Sequence, residues 1–202
     1  MALPAQLSYD VAWVLAAGGR IYIASDADQN DRVTGQTSFA NTTPTFLLNN
    51  PSTSTVVCVP FYYQLTQTGS VAGGDIGIDT EVRSPTAYAS SGTSEGVSSA
   101  FFGRANVTGW AAAPSNQCVL YSGATAGSGQ GRAMGHATLA PDVSPAEGVI
   151  NVYEWTAPSG LMLGPNASLG VYTYAASTGP TFGWVFVWAE LPFGMLPGIA
   201  QS

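Results

Sequence analysis

The chain has 202 residues, 46% of them hydrophobic and only 8% charged, with 24 glycines, 13 prolines, five arginines, no lysine and a net charge of −7. That length suits one domain around one core, and the glycine and proline content suits short strands joined by tight turns, which excludes a helical bundle. Arg20, Arg32, Arg83, Arg104 and Arg132 stand singly among twelve carboxylates, which excludes nucleic-acid binding through clustered phosphate contacts and electrostatic attachment to anionic membranes.

In chain order, residues 8–18 hold the one helix pattern. Ser8 can cap it, Asp10 suits its first turn, Val11, Val14 and Leu15 share a face, and Gly18 can end it. An extended arm is the alternative, so residues 1–19 are expected to form an N-terminal arm or short helix. No positive charge precedes the apolar run 11–17, so the layout of a secretory signal is missing. No apolar run nears the roughly 18 residues needed to cross a bilayer. The expectation is a soluble protein made in the cytoplasm, with no membrane partner.

Strand signals follow at residues 20–24, 36–39, 45–49, 55–65, 75–82, 99–106, 117–122 and 136–140, bounded by Asp, Asn, Gly and Pro clusters. They are clearest at residues 149–155, 167–175 and 181–191, with turns at 157–160, 164–166 and 177–180 between them. Residues 84–97 and 122–135 are rich in Gly, Ser, Thr and Ala without periodicity and read as surface loops. Eight or more strands with regular turns and no strong helices predict an all-β fold. The specific expectation is a single-domain, jelly-roll-like antiparallel β-sandwich over residues 20–192, with a C-terminal tail at 193–202.

Within residues 182–190 the even positions are Phe182, Trp184, Phe186 and Trp188 and the odd ones are Gly183, Val185, Val187 and Ala189. Strand side chains alternate between faces, so this strand is apolar on both, whereas a sandwich strand with one face in water should alternate with polar residues. Either the chain covers the second face itself or a partner does. Four aromatics at about 150 to 250 Å² each approach the roughly 800 Å² that each partner gives to a standard interface. Phe182, Trp184, Phe186 and Trp188, with Tyr172 and Tyr174, are therefore the predicted oligomer-interface residues. Residues 56–63 are similarly two-sided, and Pro60, lacking an N–H, belongs at an edge or bulge. A closed ring of subunits, most simply a trimer, would bury the excess.

Sites for chemistry are sparse. His136 lies near Asp142 in a serine-rich chain, but no Gly-x-Ser-x-Gly elbow accompanies it, and a lone histidine is more often a surface or packing residue. Residues 26–31 resemble the start of a calcium loop, yet Arg32 stands in place of the turn glycine and Thr37 in place of the bidentate Glu. A solvated turn is the plainer reading. Residues 127–132 have the glycine density of a phosphate loop without its lysine or strand-helix context. Cys58 and Cys118 could pair, though buried free thiols are the simpler reading. Three Asn-x-Ser/Thr sequons begin at Asn41, Asn106 and Asn166 and carry no weight in so Ser/Thr-rich a chain. The reading is a non-enzymatic protein with no cofactor and no metal.

Two stretches carry a resemblance: residues 45–52, Thr-Phe-Leu-Leu-Asn-Asn-Pro-Ser before an apolar strand, and residues 184–192, Trp-Val-Phe-Val-Trp-Ala-Glu-Leu-Pro. Together they resemble jelly-roll cement or decoration proteins of tailed bacteriophages, over about a third of the chain. The resemblance implies a virion structural protein that trimerises on the capsid surface, binds neighbouring major capsid proteins and stabilises the shell. The alternatives are a receptor- or carbohydrate-binding tail-fibre head, with Trp110, Tyr88 or Tyr121 as stacking platforms, and a small single-jelly-roll capsid protein.

Overall fold

Strict alternation of half-buried and buried residues from Thr181 to Trp188 marks the central strand of the computed structural model, which describes residues 15–26, 31–68, 74–84, 88–100, 113–127, 131–140 and 151–195. Among these residues the strands are β1 (Ile21–Ser25), β2 (Val33–Thr34), β3 (Phe46–Asn50), β4 (Val56–Gln67), β5 (Ile76–Arg83), β6 (Tyr88–Ser90) and β7 (Thr93–Ser94). They continue with β8 (Val97–Ser99), β9 (Val119–Ser122), β10 (Thr125–Ala126), β11 (Arg132–Leu139), β12 (Val152–Thr156), β13 (Ala167–Tyr174) and β14 (Thr181–Pro192).

The first sheet runs β12-β4-β14-β1-β8, with β2 beside one end of β14, and the second runs β11-β5-β13-β3-β9-β7. β6 and β10 form a separate two-stranded ribbon. All these ladders are antiparallel. Of the eight strands β1, β3, β4, β5, β11, β12, β13 and β14, the first, eighth, third and sixth make one sheet. The second, seventh, fourth and fifth make the other. This is the jelly-roll order, two Greek keys folded face to face.

The aromatic row of β14 lies between the sheets. Phe182, Trp184, Phe186 and Trp188 are all buried in the core with Phe46, Leu48, Tyr63, Leu65, Ile76, Ile78 and Val171. Phe46 of β3 meets Trp184 and Phe186 across the layers at ring separations of 5.3 and 5.2 Å. Tyr63 stacks on Phe186 and Trp155, and its hydroxyl pairs with that of Thr80 on β5.

Two polar devices lock this core. The side-chain amide of Asn50 donates to the carbonyls of Val56 and Leu163, each at 2.9 Å, so the Asn-Pro turn after β3 is pinned to β4. Glu190, 2% exposed, accepts backbone N–H bonds from Gln117 and Cys118 at 2.8 Å and the indole N–H of Trp188 at 3.3 Å. The segment it holds leads into β9 of the second sheet, so this carboxylate ties the sheets together.

Several expectations shift. Residues 36–39 form no strand; Gln36 alone bridges to Tyr174, and the nearby ladder is the short β2. Residues 84–97 and 122–135, expected as loops, contain β6, β7, β10 and the start of β11. These pieces are small and polar, so they show no apolar period. Residues 101–106 and 149–150 of two predicted strands lie outside the described residues, as do 8–14 of the predicted helix. Leu15–Ala17 are helical, and the turn ends at Gly19, not Gly18: Gly19 has φ 71°. Its N–H donates to Ala16 O and that of Arg20 to Leu15 O, a Schellman cap that requires the left-handed residue there.

Candidate interaction surfaces

With its aromatic row spent on the core, β14 turns Gly183, Val185 and Val187 outward, all half-buried. Register places Val187 between Tyr62 of β4 and Ile23 of β1, both also half-buried. Beyond a bulge at Phe61, Val59 and Leu191 extend the same apolar band. The bulge sits beside Pro60, where the β12 ladder has already ended at Tyr62, so the missing N–H interrupts little. At the other end the face becomes polar. Glu154 accepts from the Tyr62 hydroxyl at 3.0 Å and from the Gln64 amide at 2.7 Å.

Two hollows open on this face. One, of about 270 Å³, lies between Val59, Phe61 and the turn carrying Ala157, Pro158 and Leu161. The other, of about 340 Å³, has Gly183 at its floor and Asp26, Arg32, Gln64, Thr66 and Thr68 around it. Its walls are anchored: Asp26 N–H donates to Trp184 O, and the Trp184 indole donates to Asp31 O at 3.0 Å.

The predicted interface residues therefore divide. Phe182, Trp184, Phe186 and Trp188 are buried by their own chain, so none is available to a partner. The 600 to 1,000 Å² expected of them is interior area. Both faces of the strand are apolar, and alternation alone does not say which one points inward. Tyr172 and Tyr174 lie on the outer face of the second sheet. Tyr172 is buried there too, because Phe39 packs on both tyrosines at 5.4 Å and Arg83 lies 5.8 Å over the Tyr172 ring. Tyr174 is half-buried and donates to Asp79 at 2.9 Å. Sequence reasoning missed Phe39, which is 43% exposed; a lone aromatic in a polar stretch was its signal.

The chemical candidates are placed as follows. His136, with a side chain 60% exposed, pairs with Asp79 across the β11-β5 ladder at 2.7 Å; Asp142 lies outside the described residues. Arg83 pairs with Glu81 at 3.1 Å and donates to Gly127 O, which spends the charge beside the glycine loop. Asp26 accepts the Asp31 N–H at 3.1 Å, a turn-closing bond, and residues 27–30 lie outside the described residues. No group of three or more metal-ligating side chains occurs among the described residues. Cys58 and Cys118 are buried free thiols, and Cys118 is pushed up by its hydrogen bond with Cys58 and by burial. Tyr88 and Tyr121 stack on each other at 4.5 Å, so each offers at most one ring face; Trp110 lies outside the described residues. No described helix is long and apolar enough to cross a membrane.

Comparison with known proteins finds no matching family, no similar curated protein and no similar solved structure.

Proposed function

We propose that this protein is a virion structural protein, a capsid cement or decoration protein that forms a homo-oligomer, most simply a trimer, and stabilises a shell of major capsid protein from outside. Jelly rolls serve as capsid and lectin domains among other roles, so the fold alone decides nothing. The observation that carries the reading is the apolar band of Ile23, Tyr62, Val187, Val59 and Leu191 on the outer face of the first sheet. The core does not need that band, and water-facing sheet positions are ordinarily polar. A charged content of 8% without lysine favours a surface covered by partners over one left in solvent. Adhesion is the mechanism: modest contacts repeated over several subunits add through effective concentration.

Sedimentation velocity tests it. The wild type should run as a discrete oligomer, and Val187→Lys and Ile23→Lys should each run as folded monomers of 20.8 kDa that no longer co-sediment with undecorated capsids. A wild type that stays monomeric at high concentration refutes the assembly. Closed particles would instead identify a shell protein.

A further inference from the structure

We infer that the hollow over Gly183 is a binding site for a neutral polyhydroxylated ligand, a single sugar residue of a glycan. The inference is independent of the assembly proposed above, since it rests on the polar end of the face and not on the apolar band.

The floor is the first observation. Glycine inside a strand weakens it, and where no bulge or bend requires it, it often marks close approach by a ligand. Other strand glycines have a structural reason: a Cβ at Gly77 would collide with the Tyr174 ring, and one at Gly170 would crowd the Tyr172 ring. Gly183 has none. Its φ lies outside the left-handed region, and a Cβ there would find its nearest neighbour, Asp26 Oδ2, at 3.5 Å, an ordinary contact. The fold would accept a side chain; the hollow would not survive one.

The second observation is the polar groups around that floor. Asp26 spends Oδ1 on the Asp31 N–H, and Oδ2 takes no hydrogen bond among the described residues while facing Gly183. Gln64 spends its amide N–H on Glu154, which leaves its carbonyl oxygen as an acceptor. Thr66 adds a hydroxyl, while Thr68 turns its methyl toward Gly183 and donates its hydroxyl to Thr181 O at 3.5 Å. Acceptors that need hydroxyl donors, one of them a carboxylate, in about 340 Å³ of space select a small polyol over an anion or an apolar group.

The test is a titration of the ¹⁵N-labelled full chain with glucose, galactose, mannose and N-acetylglucosamine, separately and to high millimolar concentration, with inorganic phosphate as an anionic control. At least one sugar should shift the Gly183, Thr66 and Thr68 amides saturably. Asp26→Asn should weaken that binding about tenfold or more. Gly183→Val should abolish it while matching or exceeding the wild-type melting temperature. The inference is overturned if these amides respond to none of the sugars, respond equally in Gly183→Val, or follow phosphate instead. It is also overturned if Gly183→Val unfolds the protein, since the glycine would then be structural.

Discussion

Replacing Glu190 by glutamine keeps the side chain's shape and changes only what its two terminal atoms can accept. In the native protein Oε1 takes the Cys118 N–H and the Trp188 indole, and Oε2 takes the Gln117 N–H. The carbonyl of the Glu190→Gln side chain could satisfy the Oε1 pair, but its NH₂ would then face the Gln117 N–H, donor against donor. One charge-assisted bond is lost, worth about 1.5 to 3 kcal/mol, and the remaining two fall to neutral strength. Relief from burying a charge offsets part of that. The net expectation is a loss of about 2 to 4 kcal/mol, or roughly 5 to 15 °C in melting temperature for a domain of this size. Calorimetry on both proteins, with urea unfolding as a check on two-state behaviour, measures it. A melting temperature within about 2 °C of wild type would refute the view that this carboxylate fastens the sheets.

Trp188→Ala should cost about 3 to 5 kcal/mol, because the ring is fully buried and its indole holds Glu190; urea midpoints would show it, and a loss under about 1 kcal/mol would contradict the burial. Gly19→Ala should cost about 1 kcal/mol from the strain of φ 71° at the helix cap, read by the same unfolding curves. Burial holds the phenol of Tyr63 well above its usual range and that of Tyr172 at about 12, with Arg83 pulling the latter partly back. The folded state then keeps protons that the unfolded chain releases above about pH 10, so stability is intact below that pH and falls as pH rises toward 12. Each phenol should contribute about 1.4 kcal/mol per pH unit of that fall. Tyr172→Phe should remove its share, and a flat profile from pH 10 to 12 would count against the burial.

The long strands were legible because their apolar runs were flanked by turn residues: β4, β13 and β14 fall within a few residues of the segments predicted. The Asn-Pro turn was legible too, since Asn50 and Pro51 both prefer it. What alternation could not supply was direction. In β14 both rows are apolar, and the choice of the aromatic row for the interior is made by Phe46 and Tyr63, which the sequence places far away. Tyr172 was mistaken for partner-facing because its cover, Phe39, comes from a stretch with no period of its own. Glu190 carried a readable signal that went unused: a carboxylate ending a run of buried aromatics must find donors. The Gly183 hollow was not legible, because Asp26, Gln64 and Thr68 meet only through pairing of β1, β4 and β14.

The place of β14 between β4 and β1 also bears on how the molecule comes into being. β14 follows both of its neighbours in the chain yet fills the slot between them, so during synthesis β1 and β4 emerge from the ribosome with that slot unfilled. Until β14 arrives, they expose unpaired backbone and the greasy lining meant for tryptophan and phenylalanine, a state prone to wrong partners. Pairing between strands as far apart in sequence as β1 and β14 is slow to find. The nascent protein should thus lean on chaperones, and trimming the chain before Phe182 should leave an aggregating remnant, not a smaller domain.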